Sequence, residues 1–273
     1  MKLPNQRNNQ LSIFQTLQSD IFRKARRQSK LAVPMGMGIN GNMEILDLGK
    51  ASPLLIAGSV TSGKREFVNC VIASLAVCNR PDEVQLLLDD VTRVELISYN
   101  GLPHLLRPVN IQLEKTINLL HWLEREINTR HQKLARANVS NIESYNQHHR
   151  EEGMMAYLVI VIYELSDLMY SRRDLAEPLI CKLAESGPST GVHLIVATQR
   201  PEPKVLTKAL KAVFRTRICF NVVSDVDSKV VLDVVGAEKL PENGDMLFLV
   251  AGMTIPQHIK GFHISDSEID SII

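Results

Sequence analysis

Aromatic residues and paired cysteines are scarce in this sequence of 273 residues. Phe, Trp and Tyr make up 5% of the chain, so the core has to be built mainly from Leu, Ile, Val and Ala. The four cysteines form no CxxC pair and have no histidine at metal-ligand spacing, which argues against a disulfide framework and a zinc site. We therefore expect buried cysteines in a reducing compartment, and no metal site.

Net charge and long apolar runs are also missing. The chain has 31 Lys and Arg against 30 Asp and Glu, a formal charge of +1, which excludes a uniformly basic nucleic-acid coat and an acidic tail. No apolar run reaches the roughly 18 to 20 residues that span a bilayer, and the polar N-terminus lacks the apolar stretch of a signal peptide. We expect a cytoplasmic chain without a membrane segment, which could be part of a longer protein.

Residues 1–30 form a distinct basic segment, with seven Lys and Arg against Asp20 alone. Its apolar residues recur at helical spacing, which predicts an amphipathic helix that leads into a basic patch. The alternative is a helix packed on the rest of the chain with a solvated basic end. The apolar positions are Leu11, Phe14, Leu17, Ile21 and Phe22.

Short apolar runs alternate with longer helical patterns over residues 31–273. Strands that are apolar throughout and separated by helices predict a mostly parallel sheet covered on both faces, which is an α/β architecture in one domain. The predicted strands are Leu54–Ala57, Val84–Leu88, Tyr157–Ile162, His193–Ala197, Arg217–Val222 and Met246–Val250, and the predicted helices are 65–78, 112–137, 140–149, 174–186 and 204–213.

A glycine-bounded loop follows the first of these strands and precedes a helix. Its spacing is GxxxxGK, the pattern whose backbone N–H groups hold phosphates at a helix N-terminus and whose lysine reaches the β- and γ-phosphates. Arg65 stands where a Ser or Thr hydroxyl would hold Mg²⁺, and a guanidinium has no acceptor for a cation. We expect ATP to bind without the usual metal ligand. The loop residues are Gly58, Ser59, Val60, Thr61, Ser62, Gly63, Lys64 and Arg65.

The second half of such a site is an acidic residue at the end of a buried strand. The run that begins at Tyr157 ends in Tyr163 and Glu164. Tyr163 stands at the metal-side carboxylate position, and a phenol does not replace a carboxylate beside Mg²⁺. Glu164 remains, at the position where a base orients the attacking water. Two changed positions, 65 and 163, argue against ordinary metal-assisted phosphoryl transfer; Asp89 or Asp90 could compensate.

A string of short motifs follows the phosphate loop. They are Glu95–Leu96, Tyr99–Leu106, Arg130–Leu134, Ile142–Asn146, Glu164–Met169, Gly191–Pro201, Thr216–Ile218, Asp227–Lys229, Gly236–Glu238 and Gly244–Leu247. From about Val33 to its end, the chain resembles the motor domain of the FtsK/SpoIIIE family of DNA-translocating ring ATPases. The resemblance implies a RecA-like P-loop core, a hexameric ring around double-stranded DNA and ATP bound between subunits.

The same resemblance assigns further roles and shows further losses. It implies that Gln199 is the polar residue that senses the γ-phosphate, and that a trans-acting arginine finger would stand near Pro188, where proline carries no charge. With Arg65 and Tyr163, three catalytic roles are altered. The resemblance therefore predicts a DNA-binding ring motor domain in which hydrolysis is weak or lost, acting as a homo-oligomer or with an active ATPase.

A basic segment over residues 202–217 offers a candidate DNA contact. Lys204, Lys208 and Lys211 lie on one face of the predicted helix, and the family places DNA-facing loops near this part of the motor. An exposed helix face without a partner is the alternative. Two other functions stay open: an active translocase that uses Lys64, Glu164 and Gln199, and a protein-secretion or assembly ATPase module that binds a polypeptide or a partner ATPase.

Overall fold

A nine-stranded sheet lies at the centre of the part of the chain that the structure describes. The structure is a computed structural model that describes residues 12–51, 53–149, 153–241 and 243–273. The strands are β1 Ala32–Gly38, β2 Met43–Asp47, β3 Leu54–Ala57, β4 Val84–Asp90, β5 Tyr157–Tyr163, β6 Val192–Thr198, β7 Thr216–Phe220, β8 Asp245–Leu249 and β9 Gln257–Gly261. Their order across the sheet is β2-β1-β9-β8-β7-β3-β6-β5-β4.

Helices cover the two faces of this sheet. They are α1 Ile13–Gln18, α2 Asp20–Gln28, α3 Leu48–Ala51, α4 Lys64–Cys78, α5 Leu113–Arg136, α6 Ile142–His148, α7 Leu165–Ser186, α8 Lys208–Val213, α9 Asp225–Leu232 and α10 Asp266–Asp270. Short 3₁₀ turns span Ile97–Tyr99, Pro188–Thr190 and Ala237–Lys239.

Five neighbouring strands, β7, β3, β6, β5 and β4, run parallel, which confirms the predicted parallel core. In this register Ala57 lies beside Thr198 and Cys219, and Tyr163 lies beside Ala197. The carboxyl ends of the strands therefore meet at one edge of the sheet. In open α/β sheets that edge is where ligands bind.

Alternate residues of the parallel strands face two separate cores, as the period of a strand requires. Leu54 and Ile56 pack in the core that α1, α2 and α4 cover, whereas Leu55 and Ala57 pack in the core beneath α5, α7, α8 and α9. Tyr163 belongs to the first of these cores, so its ring lies on the face where α4 begins.

The other half of the sheet is antiparallel. The strand predicted at Met246–Val250 exists as β8, but it runs antiparallel to β7 and pairs next with β9. β1 joins β9 on one side and β2 on the other. The sequence did not predict β1, β2 and β9. For β1 the reason is that it contains Pro34, Gly36 and Gly38, residue types that are depleted in strands.

The described part of the basic N-terminal segment forms two short helices that pack on the sheet. Ile13 and Phe22 are fully buried in the core that also contains residues of β1 and α4. Arg26 donates to the carbonyl oxygen of Cys78 and to Asn79 Oδ1, at 3.1 Å for the latter. Of the predicted apolar positions, Ile21 is exposed and Leu11 lies outside the described residues.

One predicted helix boundary, at residue 204, is wrong. α8 begins at Lys208, where Thr207 Oγ1 caps it by accepting from the Leu210 N–H at 3.2 Å. Lys204 lies in the turn before α8, so it does not share a helix face with Lys208 and Lys211. The helix predicted at 174–186 corresponds to the part of α7 that follows Arg172, whose φ of −143° and ψ of 37° interrupt the helix; the part of α7 from Leu165 to Arg172 was not predicted.

Candidate nucleotide-binding site

The GxxxxGK loop lies at the carboxyl edge of the parallel strands, between β3 and α4. Gly58 donates its N–H to the Thr198 carbonyl at 3.2 Å, and Ser59 donates its N–H to the Asn221 carbonyl at 2.9 Å. These two bonds tie the start of the loop to the ends of β6 and β7. Val60 and Thr61 are exposed at the tip of the loop, whereas Ser62 is buried. The predicted loop residues are thus brought together in one turn around the start of α4.

Gly63 ends the loop in a conformation that favours glycine. Its φ is +101°, and a Cβ atom at this position would lie 2.4 Å from Gly244 Cα. The Gly244 N–H donates to the Ser62 carbonyl at 3.0 Å. The loop therefore rests directly on the backbone that precedes β8, a contact that the GxxxxGK spacing alone does not show.

Lys64 lies inside the fold with 1% of its surface exposed. Its Nζ donates a hydrogen bond of 2.9 Å to the Tyr163 hydroxyl and lies 4.2 Å from the centre of that ring. Burial lowers the pKa of Lys64 to about 8, although the negative charges of Glu164 and Glu95 oppose this shift. No carboxylate of the described residues lies within 4.0 Å of Nζ, so this buried ammonium has a neutral partner.

Tyr163 ends β5 at the point where the carboxylate of a metal site was expected. Its side chain is 1% exposed, and burial raises the pKa of its phenol, with the nearby Glu95 and Glu164 acting in the same direction. The phenol is therefore neutral at physiological pH. It accepts a hydrogen bond from Lys64 but adds no negative charge to the site.

Arg65 directs its guanidinium to acidic residues outside the loop. Nε lies 2.9 Å from Glu95 Oε2, in a poorly aligned contact that is an ion pair and not a hydrogen bond. A second nitrogen lies 3.6 Å from Asp266 Oδ1 on α10. The side chain is 39% exposed. The first residue after Lys64 thus brings a positive charge where a hydroxyl ligand was expected.

Glu164 and Gln199, the two residues predicted to act on the attacking water and the γ-phosphate, are neighbours. The Gln199 N–H donates to Glu164 Oε2 at 3.1 Å. Ser166 and Thr198 donate their hydroxyls to Glu164 Oε1 at 2.5 and 2.9 Å. Glu164 adopts a left-handed φ of 71° and is 6% exposed. Sequence reasoning gave no role to Ser166 and Thr198, although they lie in the motifs Glu164–Met169 and Gly191–Pro201.

Asp89 and Asp90, the residues that could compensate for the lost carboxylate, are both engaged elsewhere. Asp90 accepts from the Leu96 N–H at 2.9 Å and from other groups of the loop after β4. Asp89 accepts from Asn110 Nδ2 at 2.6 Å and from Thr116 Oγ1 at 2.9 Å, and burial raises its pKa to about 6. The described residues contain no group of three or more acidic, His or Cys side chains that could hold a metal ion.

Of the three lysines predicted to contact DNA, Lys208 and Lys211 lie on α8 and Lys204 lies in the turn before it. Lys208 and Lys211, with Lys229 of α9, line a groove of about 290 Å³ between α8 and α9. Lys211 Nζ forms an ion pair of 2.6 Å with Asp233. Lys204 and Lys208 are exposed, and neither has an ion pair among the described residues. Pro188 begins the 3₁₀ turn before β6, at the opposite end of that strand from Thr198.

A strand, phosphate loop and helix at the edge of a buried parallel sheet define a P-loop ATPase fold of the RecA-like type. Within that class the chain belongs to the FtsK/SpoIIIE family, whose model matches residues 13–203. This confirms the family that the motifs indicated.

Curated relatives match the whole chain. The DNA translocase FtsK of Caldanaerobacter subterraneus subsp. tengcongensis is 40% identical over 273 residues, which are 100% of this chain and 38% of that protein. The DNA translocase SftA of Bacillus subtilis is 38% identical over 276 residues, covering 100% of this chain and 29% of the relative. The chain thus spans between 29% and 38% of the length of these two translocases.

Solved structures share the fold. The pCW3 conjugation coupling protein TcpA, in its monomer form with ATPγS, superposes with a TM-score of 0.78 at 24% identity, covering 88% of this chain and 68% of TcpA. The cytoplasmic domain of the Thermomonospora curvata type VII secretion ATPase EccC gives a TM-score of 0.75 at 27% identity, covering 87% of this chain and 29% of EccC. Across the described residues, no helix is both long and apolar enough to cross a membrane.

Mg²⁺, which the family resemblance implies, does not fit the residues at this site. The two positions that would ligate it carry Arg65, which is a cation, and Tyr163, which is a neutral phenol. Mg²⁺ requires oxygen ligands in near-octahedral geometry and is usually bound through carboxylates. The carboxylates nearby are committed to protein donors, as described for Asp89, Asp90 and Glu164.

Proposed function

We propose that the chain is a motor domain of the FtsK/SpoIIIE family that binds nucleotide and double-stranded DNA but hydrolyses ATP weakly or not at all. Its relatives are named DNA translocases, which supports a role on DNA. The P-loop backbone and Lys64 support nucleotide binding. The proposed loss of hydrolysis follows from the replacement of the groups that would hold a metal ion beside the phosphates.

The hydrogen bond between Lys64 Nζ and the Tyr163 hydroxyl carries this proposal. In a metal-dependent phosphoryl transfer, a carboxylate and a hydroxyl hold the cation that neutralises developing charge on the phosphates. Here both groups are replaced, and each replacement has a stable partner in the fold: Tyr163 binds Lys64, and Arg65 pairs with Glu95. The altered positions are therefore integrated into the structure.

The retained pair of Glu164 and Gln199 favours a second candidate, an active ATP-driven translocase. The carboxylate of Glu164 is positioned by two hydroxyls and one backbone N–H, an arrangement that would hold a base in one orientation. A ring that combines this chain with an active ATPase would make use of such a site without requiring it to turn over alone. A homo-oligomeric hexamer is the other assembly that the family suggests.

ATP turnover by the purified chain tests the proposal. We expect negligible hydrolysis with double-stranded DNA and Mg²⁺, because the metal ligands are missing. The double variant Arg65→Ser with Tyr163→Asp restores both ligand types, and we expect DNA-stimulated hydrolysis to appear if the remaining site is competent. Lys64→Ala in either background is the matched control that shows whether phosphate release comes from this site.

One result would overturn the proposal in favour of the active translocase. It is robust DNA-stimulated hydrolysis by the unaltered chain that Lys64→Ala abolishes. Displacement of a triplex-forming strand from DNA by the same preparation would then show directional movement.

A further inference from the structure

We infer that this P-loop binds a nucleoside di- or triphosphate that is free of Mg²⁺, with the Lys64 ammonium and the Tyr163 hydroxyl as its side-chain partners for phosphate oxygens. The inference rests on the nucleotide binding proposed above and specifies the form of the ligand. It starts from the disagreement between the residues of the site and the cation that the family uses.

The buried ammonium of Lys64 is the first observation that points to an anion. Lys64 is 1% exposed, and its only hydrogen-bond partner among the described residues is a neutral phenol. A buried charge without an opposite charge is unfavourable, because it has lost its water without gaining a counter-ion. The N-terminus of the 15-residue helix α4 adds its positive dipole end at the same point. A phosphate group in the loop would supply the missing negative charge.

The Tyr163 hydroxyl is the second observation. It accepts the Lys64 hydrogen bond, yet its own proton has no acceptor within the part of the chain that the structure describes. A phenol carries one donor and can accept at the same time. Since this side chain is 1% exposed and points at Lys64, its free proton is available to an oxygen of a phosphate that Lys64 also contacts.

Charge explains why such a ligand would not need the metal ion. A carboxylate at position 163 would repel the phosphates, and a cation between them would remove that repulsion. The neutral phenol of Tyr163 leaves no such repulsion to remove. Arg65 brings a further positive charge next to the loop.

Isothermal titration of ADP and ATP, each in excess EDTA and in excess MgCl₂, tests the inference. For the unaltered chain we expect the dissociation constants in the two buffers to agree within about threefold. For the double variant Arg65→Ser with Tyr163→Asp we expect Mg²⁺ to tighten binding by about tenfold or more, which corresponds to about 1.4 kcal/mol. Tyr163→Phe should weaken binding in EDTA by about tenfold, because it removes a hydrogen bond to a charged group.

Tyr145→Phe, which alters a partly buried tyrosine of α6 that packs near Leu134 and Met155, is the matched control and should bind like the unaltered chain. Binding by the unaltered chain that is tenfold tighter in MgCl₂, binding unaffected by Tyr163→Phe, or no binding in either buffer by protein with an unchanged circular dichroism spectrum would each overturn the inference. The first two outcomes leave the proposed function standing, whereas the absence of any binding would also contradict its nucleotide binding. Turnover that Lys64→Ala abolishes is the separate result that overturns the proposed loss of hydrolysis.

Discussion

His193 is a buried titratable residue outside the phosphate loop. It lies in β6, and both of its ring nitrogens are buried without a hydrogen-bond partner in the described structure. The ring of Tyr157 lies 6.1 Å away. Burial lowers the pKa of His193 from 6.5 to about 4; Asp47 opposes this shift and Arg130 adds to it. The imidazole is therefore neutral in the folded protein at neutral pH.

Acid should destabilise the protein through this residue. Below pH 6.5 the unfolded chain protonates His193, whereas the folded protein does not protonate it until about pH 4. The free energy of unfolding is therefore unaffected by His193 above pH 6.5 and decreases as the pH falls towards 4. The difference between the unfolded and folded pKa values of His193 corresponds to about 3 kcal/mol in the free energy of unfolding. Urea unfolding across this pH range should show a flatter pH dependence for His193→Leu than for the unaltered chain by about that amount. Parallel curves for the two proteins would contradict the prediction.

At the residue scale, sequence spacing predicted the loop but not its contacts. GxxxxGK between a strand and a helix placed residues 58–65 correctly, because that order of elements brings the loop to the carboxyl edge of the sheet. The partner of Lys64 is 99 positions away, and that of Arg65 is on the loop after β4. No periodicity links such positions, so only the fold shows which residues Tyr163 and Arg65 contact.

At the scale of elements, α8 and the turn before it divide the basic segment into paired and unpaired cations. Lys211 and Arg217 both bind Asp233, at 2.6 and 2.7 Å. Lys204 and Lys208 are exposed without an ion pair in the described part of the chain. A phosphate backbone is attracted to cations that no local carboxylate neutralises. The candidate DNA contact therefore concentrates on Lys204 and Lys208.

Replacing these two lysines should weaken binding to double-stranded DNA in a salt-dependent way. In Lys204→Ala with Lys208→Ala, we expect the slope of the logarithm of affinity against the logarithm of salt concentration to fall by about 2. Fluorescence anisotropy over a series of KCl concentrations measures that slope. Lys50→Ala with Lys239→Ala removes the same charge from two other exposed lysines and should leave the slope unchanged. Equal slopes for the two double variants would refute the assignment.

Buried parallel strands were predictable at this scale, whereas hairpin strands and capped short helices were less so. Four apolar residues from Leu54 to Ala57 read as a buried strand because both faces are covered. β9 has the sequence QHIKG, in which only Ile259 is buried, so it gives no apolar run. α9 was missed although Ser224 and Asp227 form a capping box, a pattern that is visible in the sequence.

At the scale of the whole molecule, the N-terminal helices share a core with the motor fold. Phe22 of α2 is fully buried in the cluster that contains residues of β1, α4 and β5. Its neighbour Ile21 is 59% exposed on the same helix. A boundary between residues 30 and 31 would separate side chains that pack together. That residues 1–30 form a separate unit stays a prediction, and thermal unfolding tests it.

Phe22→Ala should lower the stability of the entire chain. Removing a buried phenylalanine costs about 3 to 5 kcal/mol, and because the core is shared we expect one cooperative transition at lower temperature. Ile21→Ala, the matched control one residue earlier, should change the melting temperature little. Differential scanning calorimetry distinguishes the outcomes: an early partial transition in Phe22→Ala, with the main transition unmoved, would show that 1–30 is an independent unit.

The contact between Gly63 and Gly244 has a mechanical consequence. Neither backbone leaves room for a methyl group at position 63, and a hydrogen bond of 3.0 Å joins Gly244 to Ser62. From Gly244 the chain continues directly into β8 and through a turn into β9, whose Gly261 donates back to the Gly244 carbonyl at 2.8 Å. The loop and this hairpin are thus joined by direct backbone contacts. We expect a change in the shape of the loop at Gly63 to displace Gly244 and with it the start of β8, which would couple the phosphate loop to the antiparallel half of the sheet.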